Sequence, residues 1–342
     1  MRDAPAVDEM EVVRTARRIA DDVLFPAAMA TDRGDVVPRG NLDALAEAGL
    51  YGLSGPTWAG GLDVDFPAMC GVTEILSSGC LTTAFVWTQH HGAVRAAAAA
   101  SESRAMRDRV APLCRGDVRA GLALGGVLPG PPILTAMRGD GGWILDGRSP
   151  WVSGWGCVDV IHVAARLEND DAMWFLIDAR ESETLRVHRL ELVALNATAT
   201  VTAEFRGHVV GEDRVTAIAP RDAWSVTEPA TLRVHAAFAL GVTARCCALL
   251  GSSPLDDQLV AVRAALDAAM ADPDAIAMPR ARAASSELAL RASAALMSSV
   301  GSRSLLVDQH AQRLAREALF VSVYAGRPPV KAALLESLLR SR

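Results

Sequence analysis

The apolar residues of this chain change their spacing twice, and that double change limits the fold more than any one motif. From residue 7 to about 117 they recur at three- and four-residue intervals, as in EMEVVRTARRIADDVLF, FPAMCGVTEILSSG and LTTAFVWTQHHGAVRAAAAA. Such intervals gather them on one face of a helix. From about 118 to 216 the interval is two. VRAGLALGGV, GGWILDGRSPWVSG, VDVIHVAARL, DAMWFLIDA, LRVHRLEL and ATVTAEFRGHVV read as strands, separated by Gly-Asp, Gly-Gly, Asp-Gly and Glu-Asn-Asp-Asp turns. From about 220 the helical interval returns, in TEPATLRVHAAFALGVTARCCALLG, SPLDDQLVAVRAALDAAMAD, PRARAASSELALRASAALMSSV, DQHAQRLAREALFVSVYAG and VKAALLESLLRSR. The expected fold is α+β and multidomain. An N-terminal α-helical domain takes 1–117, a small β-barrel 118–217 and a C-terminal helical bundle 218–342. Asn41 is expected to cap the helix in NLDALAEAGLYGLSG, and Gly60 and Gly61 to break the pattern after it.

Composition narrows the class. The 342 residues are 51% hydrophobic but only 5% aromatic, so close-packed, alanine-rich helices must fill much of the interior. The net charge is −6, and Lys331 is the only lysine. Arginines alternate with acids along helical segments, which argues against a nucleic-acid face. Cys70, Cys80, Cys114, Cys157, Cys246 and Cys247 show no metal-ligand spacing and lie in apolar segments. They are expected to be reduced, buried thiols in a cytoplasmic protein, and no metal site is expected. The first residues, MRDAPAVDEMEVV, do not read as a signal peptide. The apolar run Leu232–Gly251 contains Arg233, His235 and Arg245, which makes it costly as a membrane span. It suits the central helix of a bundle better. The apolar helices also lead us to expect an oligomer, of copies of this chain or with a related subunit.

The order of helices, β-domain and bundle resembles the acyl-CoA dehydrogenase family, and three stretches carry the resemblance. DALAEAGLYGLSGPTWAGGLDVDF is similar to the family's N-terminal segment with its Gly-Gly loop. GLALGGVLPGPP followed by DGGWILDGRSPWVSGWGCVDVIHVAAR is similar to its β-domain. REALFVSVYAG is similar to its Arg-Asp…Tyr-Glu-Gly run. The resemblance implies FAD as cofactor, an acyl thioester of CoA or a carrier protein as substrate, and α,β-desaturation as chemistry. It implies that Trp151 stacks on the flavin and Ser153 bonds near its reactive nitrogen, with Val152 between them. It further implies backbone contacts from Leu122, Ala123, Leu124 and Gly125, and a place for Tyr324 at the cofactor. Trp151 and Ser153 stand two apart on a strand and are expected on one face. The plain alternative makes Trp151 a core residue of the barrel.

Several residues depart from the family pattern. Ala325 stands where the Tyr-Glu-Gly glutamate would remove the substrate's α-proton. Some relatives carry that glutamate on the long central helix, where this chain has Thr231 or Leu232. Glu228 lies one turn earlier and is the candidate base, or else merely complements the helix N-terminus. The loop LGGVLPGPPILTA keeps Pro129 but lacks the usual hydroxyl and acid. The bundle is also shorter than in typical relatives. Arg280, Arg282, Arg303 and Arg313 are the candidates to hold a pyrophosphate. His90 and His91 are either a pocket acid–base pair or a satisfied structural pair. Glu317 is expected to pair with Arg316.

These features allow three functions: an FAD-dependent oxidoreductase of CH–CH groups, a non-catalytic partner subunit or scaffold of the same fold, and a flavin-dependent oxygenase.

Overall fold

The computed structural model describes residues 9–223, 228–271 and 276–340. The first helix, α1 (Glu9–Ile19), runs through a π turn at Ala20–Leu24 into α2 (Phe25–Arg33), so the helical path continues past Pro26. Then come α3 (Arg39–Glu47), α4 (Phe66–Gly79), α5 (Leu81–Ala99) and α6 (Arg104–Arg115). Helix α4 starts where the Asp65 carboxylate accepts from the Ala68 N–H at 2.7 Å, a side-chain cap on an otherwise orphaned donor. Asn41 caps nothing. It sits inside α3, which starts after Pro38, and its buried amide donates to Thr31 Oγ1 and Thr83 Oγ1.

Eight strands follow among the described residues, including two short ones outside the six runs of clear alternation. They are β1 (Ala120–Ala123), β2 (Leu134–Gly139), β3 (Gly142–Val152), β4 (Val160–Arg166), β5 (Asp171–Asp178), β6 (Leu185–Arg189), β7 (Val201–Val210) and β8 (Val215–Pro220). They pair in the order β6-β7-β3-β2-β4-β5-β8, with β1 parallel to β4. The ladder does not join β6 to β8. Yet Leu185 of β6, Phe205 of β7, Phe175 of β5 and Val163 of β4 share one core. Strands from distant parts of the ladder reach the same interior because the sheet curls around it, as twisted sheets do.

The bundle comprises α7 (Glu228–Leu250), α8 (Pro254–Ala271), α9 (Ala277–Val300), α10 (His310–Val323) and α11 (Pro328–Leu339). Helix α7 is long and apolar enough to cross a membrane, and 67% of its most apolar stretch is buried inside the protein. It packs on α4, α9 and α10, so its apolar character serves the interior. Its contact with α4 is made at Gly241, where a Cβ would lie 2.4 Å from the Glu74 carbonyl oxygen and 2.6 Å from Ser77 Cβ. Backbone so close to backbone leaves no room for a methyl group.

Charged side chains tie the N-terminal helices to the bundle at this crossing. Arg263 of α8 pairs with Glu74 of α4. Arg245 of α7 donates to the Ser78 carbonyl at 2.7 Å and pairs with Asp21 of the π turn at 2.5 Å. All six cysteines are free thiols.

Gly241→Ala tests the crossing. Helix propensity alone predicts a gain of about 1 kcal/mol. The clash predicts a net loss of about 1–3 kcal/mol, read from the urea midpoint at constant m-value.

Candidate active site

Two glycines bring the β-domain candidates together. A Cβ at Gly121 would lie 3.1 Å from the Ser153 carbonyl oxygen, and one at Gly125 would lie 2.8 Å from that of Arg148. Strand β1 can therefore lie against the end of β3. Its ladder partner is β4; Leu122 on it and Leu124 just after it are half-buried. The Gly125 N–H is already used, donating to Ser149 Oγ at 3.0 Å. It is not available to a cofactor, contrary to the expectation for that residue.

Trp151 and Ser153 do not share a face. Ser149 pairs with Ala203, and the next pair along is Val152 with Val201. Pro150 and Trp151 thus oppose the single residue Thr202, which makes a β-bulge. Pro150 has no N–H to lose there, and Trp151 takes the left-handed conformation with φ 61°. Strict alternation from Leu145 and Ser149 would bury Trp151. The extra residue turns the indole outward instead, 65% exposed, and buries Val152 and Ser153. The core-tryptophan alternative is thereby excluded.

Behind Ser153 lies a chain of hydroxyls. Ser153 Oγ is 2.7 Å from Thr200 Oγ1, which is 2.8 Å from Thr198 Oγ1, which donates to the Leu195 carbonyl at 2.8 Å. The turn that holds them has left-handed residues at Leu195 and Ala199. The Thr198 carbonyl also accepts from the Gly154 N–H at 2.7 Å.

The loop after β1 is held from below by Arg166, which sequence reading overlooks. Its guanidinium, 4% exposed, donates to the carbonyls of Gly126 at 2.9 Å, Leu128 at 2.5 Å and Gly130 at 2.8 Å. No sequence signal beyond a charge in an apolar strand points to this clamp.

The bundle candidates form a second group. Along α7, Glu228, His235 and Phe238 lie seven and then three residues apart, on one face. That face meets the turn after α10. Glu228 pairs with Arg327 at 3.0 Å, and His235 Nε2 lies 3.4 Å from the Tyr324 hydroxyl. Tyr324 packs against Phe85, Phe320, His235 and Phe238, with ring centroids 4.9, 5.3, 4.8 and 6.1 Å away. Tyr324 therefore belongs to an aromatic cluster among α5, α7 and α10. Among the described residues its ring contacts are to helices. Ala325 itself has φ 50°.

Burial dominates the electrostatics of this cluster. It pushes the Tyr324 phenol up to about 12, against the opposing pull of Gln89 and Arg282. It pulls His235 down to about 3, aided by the Arg282 and Arg327 charges, so the imidazole is neutral at pH 7. His235 Nδ1 is buried without a partner among the described residues. The sequence shows His235 only as a polar residue in an apolar helix.

The other candidates are structural. His90 bonds through both ring nitrogens, to the Leu113 carbonyl and the Ala120 N–H, each at 3.0 Å. His91 meets Ser54 at 3.3 Å. Burial lowers both imidazoles, His90 to about 3. Glu317 pairs with Arg313, not Arg316; Arg316 pairs with Asp32. Arg282 is spent on the Val321 carbonyl and Ser286. Of the four arginines considered for a pyrophosphate, Arg280 and Arg303 are the exposed ones.

The architecture is a helical domain, a curled sheet and a helical bundle. Residues 7–117 match the acyl-CoA dehydrogenase N-terminal domain family. The chain is 23% identical over 213 residues to the benzylmalonyl-CoA dehydrogenase of Aromatoleum aromaticum, covering 59% of this chain and 55% of that one. It thus spans about half the length of this curated relative. Its fold superposes on butyryl-CoA dehydrogenase from Megasphaera elsdenii with a TM-score of 0.78 at 16% identity, covering 99% and 100% of the two chains. Methanesulfinate monooxygenase from Pseudomonas fluorescens superposes with 0.75 at 18% identity, covering 96% of each. Residues 7–117 carry the sequence likeness to the acyl-CoA dehydrogenase family, and the whole chain shares an acyl-CoA dehydrogenase-like fold.

Arg166→Met removes three donors from buried carbonyls. It is expected to cost about 3 kcal/mol and to speed amide hydrogen exchange in residues 124–130 ahead of the rest of the β-domain.

Proposed function

We propose that this protein is an FAD-binding oxidoreductase of the acyl-CoA dehydrogenase type, acting on an acyl thioester by α,β-desaturation. The observation that carries this reading is the outward-turned indole of Trp151 beside the end of β1. An exposed indole on a rigid strand end suits one face of a planar tricyclic ring. To the ring edge we assign backbone groups of Leu122 and Ala123 on β1, of Leu124 just beyond it, and the Ser153 hydroxyl. Bound there, the flavin would supply a two-electron hydride acceptor.

The chain's own residues would do the rest. Trp151 would fix the plane of the ring. Arg166 would hold the 124–130 loop against it. The aromatic cluster around Tyr324 would exclude water from the acyl group. Glu228 is the carboxylate that the structure brings to the turn carrying Ala325, through Arg327. It is the acceptor we assign for the α-proton. We also propose that exposed Leu305, Val307, Leu319 and Val323 of the bundle are covered by a second copy of the chain in a reducing, cytoplasmic setting. Sedimentation as a monomer would refute the second copy.

Ala325 favours a second reading. Without a carboxylate on that turn, the same fold can serve as an oxygenase, which needs no α-proton base, or as a silent partner subunit. The solved monooxygenase of similar fold keeps the oxygenase in view.

The test starts with purified protein and excess FAD. A yellow protein bleached by acyl-CoA is expected. Glu228→Gln should slow the bleaching by about 10²- to 10⁴-fold, and Ala325→Glu should speed it. A yellow protein indifferent to every thioester, yet rapidly reoxidised by oxygen, would replace desaturation with oxygenation. A protein that stays colourless would end the flavoprotein reading.

A further inference from the structure

We infer that Arg282 receives a carboxylate at the far end of the substrate's acyl group, so that the substrate is the monothioester of a dicarboxylic acid. This rests on the acyl-thioester reading above and narrows its substrate class. The starting point is a buried charge with no counter-charge. Arg282 of α9 is 2% exposed. Burial lowers its guanidinium to about 10, so it is still a cation at pH 7. Its bonds go to neutral groups, the Val321 carbonyl at 2.9 Å and the Ser286 hydroxyl. Among the described residues no carboxylate pairs with it. Glu228 and Glu317 have arginines of their own, Arg327 and Arg313. The C-terminal end of α10 offers only about half an elementary charge. Taking a cation out of water is costly unless an anion meets it. A guanidinium also has more N–H donors than these two bonds use, so donors remain for a ligand.

The surroundings decide which anion fits. Arg282 stands close enough to Tyr324 and His235 for its charge to act on both. Tyr324 is walled by Phe85, Phe238 and Phe320. His235 holds a second buried polar atom without a partner among the described residues, its Nδ1. The Tyr324 hydroxyl can donate to His235 Nε2, which leaves the imidazole proton on Nδ1 as a further donor. Aromatic walls suit a carbon chain, and they would strand the extra oxygens of a phosphate. A carboxylate meets the planar fork of a guanidinium with both of its oxygens. Desaturation beside the thioester forms and breaks no bond at this distant carboxylate. Arg282 therefore binds and selects the substrate without taking part in the chemistry.

The experiment measures dissociation constants of CoA thioesters for the full chain in excess FAD. Each dicarboxylic monothioester from succinyl-CoA to suberyl-CoA is set against the plain acyl-CoA of equal length. At least one dicarboxylic thioester is expected to bind about tenfold to hundredfold tighter than its plain partner. Arg282→Gln keeps a donor for the Val321 carbonyl but no charge, and should erase that difference. Arg282→Met should erase it too, whereas Arg282→Lys keeps the charge and should retain part of it. A wild-type protein that binds both members of every pair equally overturns the inference, whatever the variants do. So does either neutral variant if it folds and keeps the preference. A wild-type protein that binds no acyl-CoA of either kind would instead strike the acyl-thioester reading, and the inference would fall with it.

Discussion

One extra residue in β3 governs the candidate cofactor site. Without the bulge opposite Thr202, the pleat would send Trp151 into the core and Val152 outward. With it, the largest flat side chain near the strand end faces outward, and the next two residues turn inward. The cost is a tryptophan backbone in the left-handed region, disfavoured for any residue with a Cβ by about 1–2 kcal/mol. Pro150 and the pairing of Val152 with Val201 hold it there. Strain of this sort persists where the surroundings over-determine it, and here it lies beside the glycine contacts that seat β1.

The bundle is organised by a different constraint, the passage of α7 against α4 through Gly241. That crossing fixes where the stripe of Glu228, His235 and Phe238 emerges, and hence what the turn after α10 can touch. The turn ending in Gly326 meets a carboxylate, a neutral imidazole and an aromatic box. Arg282, buried enough to fall to about 10, bonds the Val321 carbonyl near the end of α10. A cation at a helix C-terminus complements its dipole, and so steadies the helix from which Tyr324 hangs. The site is thus assembled from two rigid supports, the end of a strand and the end of a helix.

Much of the fold was legible because it depends on spacing. The runs that became α4, α5, α9 and β4 have near-uniform periods, and short-range geometry decides them. The failures have specific causes. β2, in LTAMRG, and β8, in VTAIAP, are short strands, and the former sits among prolines and glycines that read as loop. α6 is arginine-rich and carries Pro112, which hides its period. Asn41 looked like a cap because caps and buried amides draw on the same residue; only its two threonine partners reveal the difference. Of the site, the indole and hydroxyl at 151 and 153 were legible as residues of interest, and their shared face was not. Arg166 and His235 showed only as polar residues in apolar elements, and Thr198 and Thr200 gave no local signal.

The sequence by itself determined the succession of helices, strands and helices, the absence of a carboxylate at Ala325, and the residues available to meet a cofactor. Periodicity and side-chain identity are local properties, carried by the chain whatever it touches. Tertiary structure decided which way Trp151 points, that Glu228 joins the Ala325 turn through Arg327, and that Ser153 turns its hydroxyl inward to Thr200. Each of those depends on partners 47 to 99 residues away in the chain, from Ser153–Thr200 to Glu228–Arg327, or on a pairing register, and no period within a single segment encodes them.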